Sequence, residues 1–140
     1  MTDLLLAPLR AASAGLTAQS ERMLVAAQNI ANARTTGSAP GADPYRRKTI
    51  SFRSELDRAS GLELVTVARL GRDPSPFRVV YDPGHPAAGK DGFVKMPNVD
   101  MLVETADLRD ANRMYQANLQ VVKQAREVIS LTIDLLRAGS

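Results

Sequence analysis

The chain has 140 residues, no cysteine and a formal net charge of +3 at pH 7. The absence of cysteine excludes disulfides, thiol catalysis and cysteine-bound zinc. Hydrophobic residues make up 44% and aromatic residues only 4%, which fits one ordinary domain without a large aromatic core. No apolar run approaches the ~18–20 residues that a membrane-spanning helix needs, so we expect no membrane insertion.

The N-terminus has some features of a secretory signal peptide. The apolar run Leu4–Leu6 is followed by the small residues Ala12–Ala14. A signal peptide would carry Lys or Arg before the apolar run, whereas this chain has Asp3, and Pro8 interrupts the run early. We therefore predict that no signal peptide is cleaved.

Residues 7–34 predict the first helix, with Pro8 at its first position and Gly37 as a left-handed stop just beyond it. Polar residues lie elsewhere on the helix, as expected of an amphipathic element. Large apolar side chains recur every seven residues, at Leu9, Leu16, Met23 and Ile30.

The middle of the chain has a different composition. Seven of the eight prolines lie between Pro40 and Pro97, which excludes helix over most of this stretch. Short alternating or β-branched runs predict four strands, at residues 46–53, 62–70, 77–81 and 92–96. We expect a small, irregular β-rich region over residues 37–97.

The last 43 residues, 98–140, predict a second long helix, because 98–137 contain no glycine or proline. The same seven-residue repeat runs along it, at Leu108, Tyr115, Val122, Ile129 and Leu136. A second apolar row lies beside the first, so the stripe is two residues wide and can face more than one partner helix. The members of this second row are Met114, Val121, Val128 and Leu135.

A seven-residue repeat at both ends of the chain predicts a mainly α fold with a small β region, in which two terminal helices (1–36 and 98–140) pair as in a coiled coil. The two repeats are the predicted assembly interface. Four asparagines within or beside the stripes are predicted to fix the register of that packing: Asn29, Asn32, Asn112 and Asn118. The pattern alone does not distinguish assembly with other chains from a closed intramolecular hairpin.

Candidate catalytic chemistry is sparse. His85 is the only histidine and lies in a Pro- and Gly-containing turn, so no triad or zinc site is predicted. The acidic residues at the start of the last helix are explained mainly by the helix dipole. Arg46–Lys48 is interpreted as part of an exposed strand, with a small nucleic-acid or membrane patch as the alternative. We predict no enzyme activity, no cofactor and no metal.

Three stretches carry a family resemblance. Residues 27–33, AQNIANA, with Thr35 and Gly37, resemble the N-terminal signature of the bacterial flagellar axial proteins. Residues 81–86, YDPGHP, followed by DGFV at 91–94 and PNVD at 97–100, are similar to the centre of the proximal rod subunits of the C type. Residues 111–118, ANRMYQAN, resemble the C-terminal helix motif of the same group.

The resemblance implies a structural subunit of the flagellar basal-body rod, which crosses the periplasm as a drive shaft. It implies export through the flagellar type III apparatus without a cleaved signal. It also implies terminal helices in an inner tube and a β region outside it. The implied partners are further copies of the chain, other rod subunits and the basal-body adaptor on the export-gate side, with no nucleic acid or small-molecule substrate.

Three alternatives remain at this point. A cytoplasmic coiled-coil adaptor would share only the helical pattern. A weak nucleic-acid binder would use Arg46–Lys48 and would bind DNA with a steep dependence on salt. Another short rod subunit is the third alternative, which the stretches at 81–86 and 97–100 argue against.

Overall fold

A computed structural model describes residues 2–140, with side chains from Leu4 onward. Two long helices enclose four strands in the chain, which confirms the mainly α fold with a small β region. The elements are α1 (Thr2–Ala31), β1 (Lys48–Asp57), β2 (Leu62–Arg72), β3 (Arg78–Tyr81), β4 (Phe93–Met96) and α2 (Met101–Ala138).

The chain divides into two compact units. The first contains α1 up to Arg22 together with Ser51–Ala68 and Asp110–Ser140. The second contains Met23–Ile50 and Arg69–Arg109. Each unit is described by itself below.

In the first unit α1 and α2 run antiparallel. Arg22 near the middle of α1 donates a hydrogen bond from Nη2 to Asp110 Oδ2 at 3.0 Å. Gly15, two turns earlier, lies against Asn118, two turns later. The opposite order of these contacts along the two helices defines an antiparallel hairpin.

The first unit also contains the tip of the two-stranded β1–β2 sheet. Gly61 closes the turn between the strands with φ +68°, and its N–H donates to the Asp57 carbonyl at 2.7 Å. The Asp57 carboxylate accepts a hydrogen bond from Ser60 Oγ at 2.5 Å and lies 3.5 Å from Arg10 Nη1. This ion pair links the turn to α1.

In the second unit β3 and β4 form an antiparallel pair, in the register Val80↔Val94. Val94 is almost completely buried, whereas all four residues of β3 are exposed. The ring centroids of Tyr81 and Phe93 lie 5.2 Å apart in an edge-to-face arrangement. Gly92 has φ +81°, and a Cβ there would lie 2.8 Å from Tyr81 Cε2, so the turn requires glycine.

The start of α1 differs from the prediction. Helix begins at Thr2 rather than near Ala7, and Pro8 lies inside it. Proline at this position removes the hydrogen bond to the Leu4 carbonyl, and Leu4 is 81% exposed, so water can satisfy the free carbonyl. The apolar run Leu4–Leu6, which resembles part of a signal peptide, thus belongs to α1 and makes it longer than predicted by more than one turn.

The end of α1 and the start of α2 also differ from the prediction. α1 ends at Ala31, and Gly37 is not left-handed. Asn32 provides the stop instead, because its Nδ2 donates to the Gln28 carbonyl at 2.9 Å. α2 begins at Met101, where Asp100 Oδ1 accepts a hydrogen bond from the Leu102 N–H at 2.9 Å as an N-cap.

The close approach at Gly15 leads to the first prediction. A Cβ at this position would lie 2.7 Å from the amide atoms of Asn118, so we expect Gly15→Ala to destabilise the chain by about 1–3 kcal/mol. In an Asn118→Ala background the same change should be neutral or stabilising by up to about 1 kcal/mol, because alanine is the better helix former.

Urea unfolding of the four chains measures both effects. Ser13→Ala, on the exposed face of the same helix, is the matched control. Stabilisation by Gly15→Ala in the otherwise unchanged chain would show that the helices do not approach this closely.

Candidate assembly interface

The nine residues predicted for assembly differ in exposure, and most of them are half-buried. Val122 is buried, Leu136 is 71% exposed, and the remaining seven are half-buried. The half-buried residues are Leu9, Leu16, Met23, Ile30, Leu108, Tyr115 and Ile129.

Small residues are among the most deeply buried ones in the helices of the first unit. Ala12, Ala18 and Ala111 are 4%, 2% and 0% exposed, and Gly15 is buried with them. Small side chains let two helix backbones approach closely, as at Gly15, which lies against Asn118 of α2. The three-residue spacing from Ala12 to Gly15 to Ala18 is the signal of these small buried residues in the sequence.

A second row on α2 is left uncovered. It follows the alternating three- and four-residue spacing of a coiled-coil seam over 22 residues, about 32 Å at 1.5 Å per residue. All seven side chains are exposed and none is charged. This outer seam consists of Met114, Ala117, Val121, Gln124, Val128, Leu131 and Leu135. It contains the whole second apolar row of the sequence analysis.

An open groove of about 230 Å³ borders the outer seam. On α1 it is lined by Leu4, Leu5 and Pro8, and on α2 by residues that include Val121 and Val128. The exposed apolar surface of the first unit therefore continues from the outer seam of α2 onto the start of α1.

A buried polar cluster organises the second unit. Glu104 of α2 is 1% exposed and forms a close ion pair with the guanidinium of Arg47. Asn29 of α1 is completely buried and donates from Nδ2 to Glu104 Oε2 at 3.2 Å. Its Oδ1 accepts hydrogen bonds from Tyr45 Oη at 2.8 Å and from the Lys48 N–H at 2.9 Å. The cluster ties both helices to the segment that leads into β1.

This arrangement corrects the interpretation of residues 46–48 as an exposed charged strand. Arg46 donates to the carbonyls of Asp73 and Ser75 at 2.8 and 3.0 Å, and its guanidinium lies 4.2 Å above the Phe77 ring centroid. Lys48 Nζ donates to the Gln28 side chain at 2.8 Å. All three basic residues are half-buried and engaged within the chain, so they form no free patch for nucleic acid or membrane.

The four predicted register asparagines occupy different surroundings. Asn29 lies in the polar cluster, and Asn32 caps the end of α1. Asn118 faces Gly15 across the hairpin and donates from Nδ2 to the Met114 carbonyl at 3.0 Å. Asn112 is exposed on α2. A role of these residues between subunits stays a prediction.

Two side chains near the cluster have shifted pKa values. The pKa of Asp73 is lowered, mainly because Ser75 Oγ and the Ser75 N–H donate to its carboxylate, and Arg47 adds a favourable charge. Burial raises the pKa of Tyr45, opposed in part by the positive charge of Arg72.

The remaining candidate residues have structural roles. His85 Nδ1 accepts a hydrogen bond from the Ala87 N–H at 3.0 Å, which agrees with its interpretation as a turn residue. Among the side chains described from Leu4 onward, no three acidic or histidine residues are placed to hold a metal ion. In the same range neither helix is long and apolar enough to cross a membrane.

Comparisons with known proteins place these features in a family. A family model for the C-terminal part of the flagellar basal body rod FlgEFG proteins matches residues 90–135. The flagellar basal-body rod protein FlgC of Agrobacterium fabrum is 57% identical over 98% of this chain and 99% of its own length. The proteins of the same name from Escherichia coli O6:H1 and Salmonella typhimurium are 39% and 38% identical over 89% of this chain and 92% of theirs.

The buried ion pair leads to a second prediction. Arg47→Met should destabilise the chain by about 3 kcal/mol, because it leaves the Glu104 carboxylate buried without its cation. The double change Arg47→Met with Glu104→Met should recover most of that loss, since well-packed apolar residues replace a buried ion pair at little cost. Asn29 Nδ2 keeps a partner in the double variant, the Lys48 carbonyl at 2.9 Å.

Urea unfolding is the measurement, with Arg53→Met as the control. Arg53 pairs with Glu55 on the surface, so its loss should change stability by less than about 1 kcal/mol. Equal losses for the single Arg47 variant and the double variant would contradict the prediction.

The shifted pKa of Asp73 leads to a third prediction. A carboxyl whose folded pKa is lowered stabilises the fold above its ordinary pKa, and this contribution disappears as pH falls through the folded value. Ser75→Ala removes one donor, so the pKa of Asp73 should rise and stability at pH 7 should fall. The difference between the two chains should vanish towards about pH 2, where the carboxyl is protonated in both states.

Carbon-detected NMR titration of the Asp73 carboxyl and urea unfolding at both pH values test this. Ser54→Ala, whose hydroxyl donates to Glu63 on the exposed β1–β2 sheet, is the control. A stability difference that is the same at pH 7 and at acid pH would assign the effect of Ser75 to packing rather than to the carboxylate.

Proposed function

Because the chain belongs to the FlgC family of flagellar basal-body rod proteins, it is a structural rod subunit, and we propose that it assembles into the proximal rod by helix packing. The relatives are named as rod proteins and not as enzymes. A structural rod role explains why the main surface features of the chain are apolar helix faces and not a pocket lined by reactive side chains.

The outer seam is the observation that carries the proposed assembly mechanism. Seven uncharged, exposed residues at coiled-coil spacing form a surface that only another helix would cover efficiently. A subunit that retained such a surface after assembly would expose a contiguous apolar patch, which folded proteins rarely do without a partner. The outer seam is therefore our proposed contact with neighbouring subunits.

The first row has a different role in this proposal. Its members hold α1 against α2 within one subunit, and Leu136 at the end of α2 remains open to a neighbour. We assign the predicted assembly interface to both rows together, with the first row shaping the hairpin and the outer seam meeting other subunits. Segments 1–36 and 98–140 would then form the inner tube, with 37–97 outside it.

The partners follow from the same role. We propose further copies of the chain, the other rod subunits, the basal-body adaptor on the export-gate side and the type III export apparatus as partners. The proposed location is the periplasm-spanning rod, reached without cleavage of a signal peptide. The interruption of the N-terminal apolar run by Pro8 and its place within α1 support that route.

Genetic complementation tests this proposal. Deletion of the gene should abolish motility and the hook while leaving the membrane ring, and the intact gene should restore both. The variant with Val121→Glu and Val128→Glu puts two charges into the outer seam and should reduce complementation at least about tenfold, since each unpaired buried charge costs several kcal/mol.

A matched control carries the same two charges on the opposite face. Gln116 and Ser130 are exposed and lie outside the outer seam, so Gln116→Glu with Ser130→Glu should complement normally. Circular dichroism checks that both variants keep their helices. A motile deletion strain would contradict the rod role, whereas normal complementation by the seam variant would contradict only the proposed contact surface.

A further inference from the structure

The β3–β4 sheet of the second unit has an open edge along β3. This sheet has two strands, so β3 has a neighbouring strand on one side only. Val79, Val80 and Tyr81 are 59%, 48% and 65% exposed. An exposed apolar edge is a surface through which strands of separate chains pair. We propose that two copies of the chain pair antiparallel through their β3 edges, about a two-fold axis at Val80.

The hydrogen-bond pattern of the sheet shows which backbone groups the edge offers. In an antiparallel pair, every second residue bonds to the neighbouring strand and the residues between them point away from it. The Asp82 N–H donates to the carbonyl of Gly92 at 3.0 Å, and these two residues continue the register of the sheet. Val80 therefore also bonds towards β4, whereas the N–H and C=O groups of Val79 and Tyr81 point to the open edge.

A two-fold axis at Val80 matches these outward groups to each other. Val79 of one copy then lies opposite Tyr81 of the other, and each N–H donates to the carbonyl of its counterpart. The axis repeats this arrangement, so four backbone hydrogen bonds join the two copies. A shift by one residue would set Val80, which bonds towards β4, against an outward group and would lose these bonds.

The charges at the two ends of the strand favour the same register. Arg78 and Asp82 are both exposed, one at each end of the open edge. In the antiparallel pair centred on Val80, Arg78 of each copy lies opposite Asp82 of the other, which gives two reciprocal ion pairs on the face that carries Val80. A parallel pair in register would instead place like charges opposite each other. The edge is thus complementary to itself in one orientation.

The opposite face of the sheet adds apolar contact. Tyr81 and Phe93 lie opposite each other on this face, with their ring centroids 5.2 Å apart. In the proposed pair, Val79 of the second copy lies on the other side of Tyr81. The aromatic pair and the valine of two copies therefore form one row across the contact, which covers side chains that are exposed in the single chain.

The contact is limited in length and closes on itself. Pro83 has no N–H to donate, so pairing ends just beyond the strand. The far edge of β4 is partly occupied, because the Gly89 N–H donates to the Phe93 carbonyl at 3.0 Å. A two-fold contact uses the same edge of both copies, so it leaves no β3 edge to which a further strand can add. The pair is therefore a form that hides the open edge without growing.

Disulfide trapping in the full chain tests the axis, because the natural chain has no cysteine. Val80→Cys would place two thiols opposite each other, where the Cα atoms are about 4.5 Å apart, a distance that a disulfide can span. On mild oxidation this variant should link at least about tenfold faster than Val65→Cys, because pairing raises the effective concentration of the thiols. Val65 is the matched control, an exposed valine on β2.

A proline at position 79 tests the backbone bonds. Val79→Pro in the Val80→Cys chain removes an outward N–H and no bond to β4, so linkage should fall to the rate of the Val65→Cys control. Val79→Thr keeps the N–H and the branched side chain, and it should leave the linkage rate of Val80→Cys unchanged. NMR contacts between the rings of Tyr81 and Phe93 check that the β3–β4 sheet is retained.

Sedimentation equilibrium of charge variants tests the register. Arg78→Asp and Asp82→Arg should each raise the Kd of the dimer about tenfold, because each places like charges opposite each other at two symmetric positions. An equal mixture of the two variants should return the Kd to within about threefold of the original value, since opposite charges meet again in the mixed dimer. Arg58→Glu, in the exposed β1–β2 turn, is the control and should leave the Kd unchanged.

Each contrary result overturns the proposal. A chain that stays monomeric at about 100 μM, a concentration at which even a weak specific dimer forms, would exclude the pair. Equal linkage rates for Val80→Cys and Val65→Cys would exclude the axis at Val80. A mixture of charge variants as weak as either variant alone would exclude the ion pairs, and oligomers larger than a dimer would indicate contacts that do not close. None of these outcomes bears on the rod role, which complementation tests separately.

Discussion

The close approach of α1 to α2 in the first unit is the constraint on which the surface of the molecule depends. Gly15 and Asn118 meet with no room for a Cβ, and alanines occupy the positions on either side. A contact made of small residues buries little apolar area, so the large side chains of α2 cannot all be used inside one chain. The outer seam stays exposed because the small residues at the hairpin contact leave no place for its large side chains between the helices.

The polar cluster of the second unit complements that contact in a different way. Two helices that pack through apolar heptad repeats can shift by seven residues relative to each other, because similar apolar side chains then meet again. Asn29, Glu104 and Arg47 allow no such shift, since their hydrogen bonds and charges are satisfied in one arrangement only. No buried side-chain nitrogen or oxygen in the described part of the chain lacks a hydrogen-bond partner, which is the condition under which a buried network specifies structure.

Periodicity and local composition predicted both helices and the four strands, because the seven-residue repeat and the alternating or β-branched runs are local properties of the chain. It did not predict which apolar row lies inside. Leu16 and Val121 look equivalent in sequence, yet their exposure is decided by which small residues across the hairpin allow contact. The sequence also did not show that Arg46 and Arg47 turn inward, because their acceptors at Asp73, Ser75 and Glu104 are 27 to 57 residues away along the chain. Asn32 and Asp100 are local signals of helix ends in the sequence, but the predicted bounds rested on glycine and proline and therefore missed both caps.

A helix with two apolar faces can pack within its own chain and against other chains at the same time only if each kind of contact uses a different face. In α2 the distinction is made by residue size and polarity. The first row of α2, from Leu108 to Leu136, combines an aromatic side chain with branched aliphatic ones, and most of it is buried or half-buried in the folded chain. The outer seam is uncharged and exposed over its whole length, so it is the part of α2 that the folded chain leaves uncovered. Because apolar surface is stabilised by removal from water, burial of this exposed face would favour the proposed contact with neighbouring rod subunits.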